Sequence, residues 1–166
     1  MLGVLTLLLA GCDPECEDNS RIDGEYVVNS HVSVPSNQLT GENLDNYPYD
    51  GIFVNGWSAW TMQYVPNRKS FQVNLDGQSF EADYAQDPDN CNAFVLTMEG
   101  TYTTDQGTTH SFLWTGDLVY MGVKLRGTFA YDDTWTDPAT GDSGSISIPE
   151  GELLANPASE SGDSGF

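Results

Sequence analysis

"SFQVNLDGQSFEADY", residues 70–84, carries its own test of how it folds. Asp76-Gly77 is a preferred two-residue β-hairpin turn, because both positions need positive φ, which glycine adopts freely and aspartate tolerates. Closing the chain there sets Leu75 opposite Gln78, Val73 opposite Phe80 and Phe71 opposite Ala82. The polar residues pair likewise, Asn74 with Ser79 and Gln72 with Glu81. A slip of one residue would mix the two faces, so this agreement specifies both the hairpin and its register.

The same alternation runs outward in both directions. "YVVNSHVSV" (26–34) places Tyr26, Val28, Val32 and Val34 on one face and Asn29, His31 and Ser33 on the other. Segments 57–65, 93–104, 110–122, 123–131 and 144–149 continue it, rich in the β-branched and aromatic residues that suit a half-buried pleated surface. "TDQGT" (104–108) and the Met-Gly at 121–122 read as turns. After the second, Val123, Leu125, Phe129 and Tyr131 share a face opposite Lys124, Arg126 and Thr128. One-sided alternation with sequential hairpins predicts an all-β antiparallel meander. Closure into a small barrel of about eight strands would remove exposed edges, and a β-sandwich is the alternative. The arrangement resembles lipocalin-like barrels, with Gly24-Glu25-Tyr26 where lipocalins carry Gly-x-Trp on their first strand.

Residues 1–10, "MLGVLTLLLA", are uncharged and almost wholly apolar, too short to span a bilayer but of the length of a secretory signal's apolar segment. Leu9-Ala10-Gly11-Cys12 then resembles the lipobox of bacterial lipoproteins, although no Lys or Arg precedes the apolar run. That resemblance implies a signal peptide over 1–11, acylation of Cys12, and a membrane-anchored, extracytoplasmic place in the cell envelope, with the outer membrane favoured. The remaining organisation reads as an acidic tether over 12–21, a single β domain over 22–154 and a disordered low-complexity tail over 155–166. An envelope compartment is oxidising, so Cys16 and Cys91 become an available disulfide pair, the alternative being two unpaired thiols. The bond would close a loop of about 75 residues and add about 4 kcal/mol on the chain-entropy model.

The chain holds 25 acidic residues against five basic ones, a formal net charge of −20. Such a surface repels phosphate backbones and anionic headgroups, which argues against a nucleic-acid partner. The acids are scattered through loops and outward strand positions, a pattern of general surface solvation, the alternative being a cation-collecting surface.

Chemistry-bearing patterns are sparse. Gly141-Asp142-Ser143-Gly144 resembles the box around the nucleophile of chymotrypsin-like proteases, but the rest of that box is missing and the same letters recur at 162–165. His31 and His110 are expected on solvated strand positions. Asp132, Asp133, Asp137 and Asp142 form the best metal candidate, hard oxygen donors at spacings a loop can wrap around Ca²⁺. Asp, Pro and Gly are equally the residues of a hairpin turn. No other cofactor is suggested.

Trp57 and Trp60 point to opposite faces of one strand. Trp60, Met62, Tyr64 and Trp114 are the candidate lining of a barrel interior, joined by Phe94, Leu96 and Phe112. Such an interior either holds one small apolar ligand or fills itself with side chains. The polar stretch 35–51 is long enough for a binding loop or lid. The function expected is a lipid-anchored envelope protein with a non-catalytic binding or scaffolding domain, either a carrier of a small apolar ligand or a structural module that contacts an envelope protein. A carboxylate-based enzyme such as a glycosidase is the second class, though no acidic pair stands out.

Overall fold

The Asp76-Gly77 hairpin closes in the expected register: Leu75 faces Gln78, Val73 faces Phe80 and Phe71 faces Ala82. Asp76 and Gly77 sit at φ 47° and 86°, both left-handed. The Asp76 carboxylate also accepts a hydrogen bond from the Ala59 N–H at 3.1 Å, tying the turn to the neighbouring strand. The structure, a computed structural model, describes residues 19–48 and 56–159. Cys12, Cys16, the leader and residues 160–166 lie outside the described residues.

Eight strands follow one another: β1 (Gly24–Val32), β2 (Gly56–Val65), β3 (Ser70–Leu75), β4 (Gln78–Asp87), β5 (Asn90–Thr103), β6 (Thr109–Tyr120), β7 (Leu125–Thr136) and β8 (Ser143–Pro157). Each pairs antiparallel with the next, and β8 returns to β1, so the sheet is a closed barrel. That closure rules out the two-sheet sandwich. Connections alternate between the two ends. The start of β1, the end of β8 and the β2–β3, β4–β5 and β6–β7 turns lie at one, the terminal end. The β1–β2, β3–β4, β5–β6 and β7–β8 connections open at the other, the strap end.

Alternation drives one face of every strand inward. Val73, Leu75, Leu96, Met98, Leu118 and Leu125 are fully buried, and the larger rings pack edge-on or stacked around them. Trp60 meets Trp114 at 5.6 Å, Phe80 meets Phe112 at 5.1 Å and Trp114 stacks on Phe129 at 6.1 Å. Three inward glycines, Gly100, Gly116 and Gly151, leave room for Phe80, Trp114 and Phe129 respectively. Small positions facing large ones let a narrow barrel fill itself.

Two expected boundaries shift. Strand β8 does not stop at Pro149 but continues to Pro157, pairing Val28 with Ala155 and Tyr26 with Pro157. The register slips there by one residue, Phe129 facing Gly151 but Tyr131 facing Ile148. The bulge accommodates Pro149, which cannot donate to a regular ladder. Ala155 is fully buried, so residues 155–157 belong to the domain and not to the tail. The expected tether over 12–21 also runs too far. Asn19–Ile22 forms a 3-10 turn against the barrel, Ile22 fully buried and its carbonyl accepting from the Tyr26 hydroxyl at 2.7 Å. Val123, expected inward on β7, lies instead in the β6–β7 turn and is half exposed.

The connection after β1 packs as a strap. Thr40 pairs with Ser147, and the Glu42 carbonyl accepts from the Ser145 N–H at 2.9 Å. These bonds use the side of β8 that β1 leaves open beyond Gly151. The strap then delivers Tyr47, buried, into the mouth of the barrel.

Candidate functional site

The strap end holds the strongest concentration of buried polar groups among the described residues. Register places it there: Tyr102 on β5 faces His110 on β6, which faces Trp135 on β7, while Phe112 faces Asp133 one step inward. His110 and Asp133 are 0% and 2% exposed. His110 Nδ1 and Asp133 Oδ2 are hydrogen-bonded at 2.7 Å, and the Tyr47 hydroxyl donates to the same oxygen at 3.0 Å. Tyr102 lies flat on the imidazole, centroids 4.8 Å apart, and Tyr47 approaches its edge at 6.2 Å. Asp133 Oδ1 and the Trp135 indole N–H have no hydrogen-bond partner among the described residues.

Burial pushes the Tyr47 phenol well up, and the facing Asp133 carboxylate adds to it. Tyr131 is raised by burial and then by the neighbouring Tyr47 and Tyr102. Elsewhere in the barrel, burial lifts Tyr26 and Tyr84 to about 12. All four therefore stay neutral in the fold where unfolded tyrosine already ionises. Above about pH 10 the unfolded chain releases more protons than the native one, so unfolding gains as pH rises. Stability from these groups is full below pH 10 and falls above it. In an alkaline titration the tyrosinate absorbance of these four residues should appear together with loss of near-ultraviolet dichroism. Ionisation of all eight tyrosines in a still-folded protein would contradict their burial.

An imidazole held by a carboxylate is the arrangement of a general base, but a base must reach the proton it removes. Here the ring is covered by Tyr102 and Tyr47 and the pair is shut from solvent. The cluster orders the mouth of the barrel and holds the strap down.

The residues singled out from sequence fall into separate groups. Trp60, Met62 and Trp114 do point inward, each at most 3% exposed, and Tyr64 packs half-buried against Phe71 at 5.2 Å. Trp60 and Trp114 touch each other, and all four belong to or pack against the core. The four aspartates do not converge on a cation. Strand alternation sends Asp132 outward and Asp133 inward. Asp137 spends its carboxylate within the β7–β8 turn, accepting from the Ala139 N–H at 2.8 Å and the Thr140 hydroxyl at 3.1 Å. Among the described residues no group of three or more His, Cys, Asp or Glu side chains could hold a metal ion. The spacing read as a calcium loop is turn chemistry.

Ser143 is the exposed first residue of β8, its carbonyl accepting from the Asn43 side-chain amide at 3.2 Å. Neither histidine serves it. His31 lies on the outer face, 3.5 Å from the Glu152 carboxylate, and His110 is buried rather than solvated as expected. Parity holds the signal for His110: it shares the even positions of β6 with Phe112 and Trp114, both read as inward. Cys91 lies near the start of β5, its carbonyl accepting from the Gln86 amide at 2.9 Å and from the Arg21 guanidinium. Its expected partner, Cys16, and the expected acylation site, Cys12, lie outside the described residues.

No protein-family model matches the chain, and neither a curated protein nor a solved structure shows significant similarity to it.

Proposed function

We propose that this is a lipid-anchored protein of the bacterial cell envelope whose barrel works as a non-catalytic scaffolding or interaction module. The observation that carries the non-carrier half of this reading is the filled interior. Where a ligand-carrying barrel would keep a cavity, Trp60, Met62, Leu96, Met98, Trp114 and Phe129 pack against one another. Contacts with other molecules then fall to the outside, where Trp57 is 69% exposed near the strap end. Large, rigid aromatic side chains are the usual anchors of protein contacts.

The anchor half rests on Leu9-Ala10-Gly11-Cys12 and on the abrupt change from apolar leader to "CDPECEDNS". Diacylglyceryl and acyl chains at about 0.8 kcal/mol per buried methylene hold a protein stably on a bilayer. A Cys16–Cys91 disulfide fits this reading. Arg21 bonds the Cys91 carbonyl, so the chain five residues after Cys16 already lies beside Cys91, within about 18 Å of extended reach.

Mass spectrometry of the protein extracted from membranes tests the whole proposal. The expected result is an N-terminus at Cys12 carrying acyl mass, Cys16 linked to Cys91, and no retained small molecule. An unacylated N-terminus would overturn the anchor, and a stoichiometric apolar ligand would overturn the filled-barrel reading in favour of a carrier.

A further inference from the structure

Every lysine and arginine of this acidic chain sits at the terminal end of the barrel. Arg21 is in the N-terminal 3-10 turn, Arg68 and Lys69 make the β2–β3 turn, Lys124 closes the β6–β7 turn, and Arg126 is the second residue of β7. The strap end has the acids Glu42, Asp45, Asp76, Asp105, Asp137 and Asp142 and no cation in any of its connections. The terminal end holds acids too, among them Asp23, Asp87, Asp89 and Glu81, the last bridged to Arg68 at 2.8 Å. Its charges are mixed where the strap end's are of one sign. The chain that enters this end is itself acidic, with Asp13, Glu15, Glu17 and Asp18, so the cations distinguish the end by their presence and not by its net charge.

The same end carries the right apolar feature. Met121 and Val123 are 62% and 50% exposed at the tip of the β6–β7 turn, with Lys124 and Arg126 beside them. The tip is a fixed shape: Gly122 has φ 84°, and the Met121 N–H donates to the Lys124 carbonyl at 2.8 Å. Apolar side chains flanked by long cationic ones suit the boundary between acyl chains and headgroups. The N-terminal segment is pinned next to this tip, the Arg21 guanidinium lying 5.7 Å from the Tyr120 ring centroid. A groove of about 370 Å³ lined by Arg21, Tyr120 and Val123 runs between the two. Only six residues separate Cys12 from Asn19, an extended reach of about 25 Å.

We propose that the domain stands on the bilayer on its terminal end, the Met121–Lys124 tip in contact with the lipid surface and the strap end held away from it. The inference rests on acylation at Cys12. The native side chains report on it without a probe, since methionine oxidation follows exposure. The acylated protein, with its N-terminus at Cys12, is placed on vesicles of phosphatidylethanolamine and phosphatidylglycerol and treated with dilute peroxide. The same chain beginning at residue 12 with Cys12→Ser, free in buffer, is the reference, and oxidation is read residue by residue from peptide masses after digestion of both samples. On vesicles Met121 should oxidise at least about fivefold more slowly than in the reference. Buried Met62 and Met98 should stay slow in both, and hydroxyl-radical labelling of Trp57 should not change. Equal Met121 rates in acylated, vesicle-bound protein, or protection of Trp57 in place of Met121, would overturn the orientation while leaving the anchor standing. Absence of acyl mass would overturn the anchor, and the orientation with it.

Discussion

Replacing Asp133 by alanine should lower stability by about 3–5 kcal/mol, a fall of about 10–15 °C in Tm for a domain of this size. One oxygen, Asp133 Oδ2, is shared by His110 and the Tyr47 hydroxyl, both shut from water. Its removal takes a hydrogen bond from each of two buried polar groups, at about 1–3 kcal/mol each, and opens a void beneath the strap. Asp133→Asn keeps an oxygen of the same shape for one partner and should lose about half as much. The apolar double variant His110→Phe/Asp133→Leu removes both ends of the bond and should be more stable than Asp133→Ala, because no buried imidazole is left lacking its carboxylate acceptor. Urea midpoints for the three variants decide the matter. A loss under about 1 kcal/mol for Asp133→Ala would mean that water reaches the pair and that Tyr47 does not seal it.

That cluster was only partly legible in the sequence, for identifiable reasons. His110 is one count away: residues 110, 112 and 114 share a strand face, and Phe112 and Trp114 read as inward. What obscured it was chemistry, since a histidine is rarely placed in a core without a visible partner. The partner came from Asp133, which composition grouped with Asp132, Asp137 and Asp142 as turn or metal acids. Only the β6–β7 register, pairing Phe112 with Asp133, separates it from them. Tyr47 arrives from an irregular connection with no periodicity to read, so its contact with Asp133, 86 residues away, has no sequence signature.

The fold was far more legible, because a hairpin's turn and its alternation must agree. Residues 70–84 satisfied both, and the register is the one observed. β8 shows where that logic ends. Pro149 interrupts the alternation, and the following one-residue bulge reverses parity, so Ile146 and Ile148 face inward on even numbers and Gly151, Leu153 and Ala155 on odd ones. Read with one continuous period, the strand appears to stop at the proline. Closure of the barrel depends on the half beyond it, since β1 pairs only from Gly151 onward.

Gly116→Ala should cost about 1–3 kcal/mol, and Trp114→Phe should abolish most of that cost. A Cβ at Gly116 would stand 2.2 Å from Trp114 Cη2 and 2.7 Å from Cζ3. The indole cannot swing clear, because Trp60 meets it edge-on at 74° and Phe129 stacks on it at 20°. With phenylalanine at 114 the six-membered ring of the indole is gone and the methyl group has space. The double variant should therefore be more stable than the sum of the two single losses allows, by at least about 1 kcal/mol. Gly56→Ala, where a Cβ meets nothing within 4 Å, is the control and should leave the melting curve in place. The cycle bears directly on what the barrel does. In a hollow carrier the indole would yield into the cavity and Gly116→Ala would cost almost nothing; in a barrel filled by its own side chains it has nowhere to go.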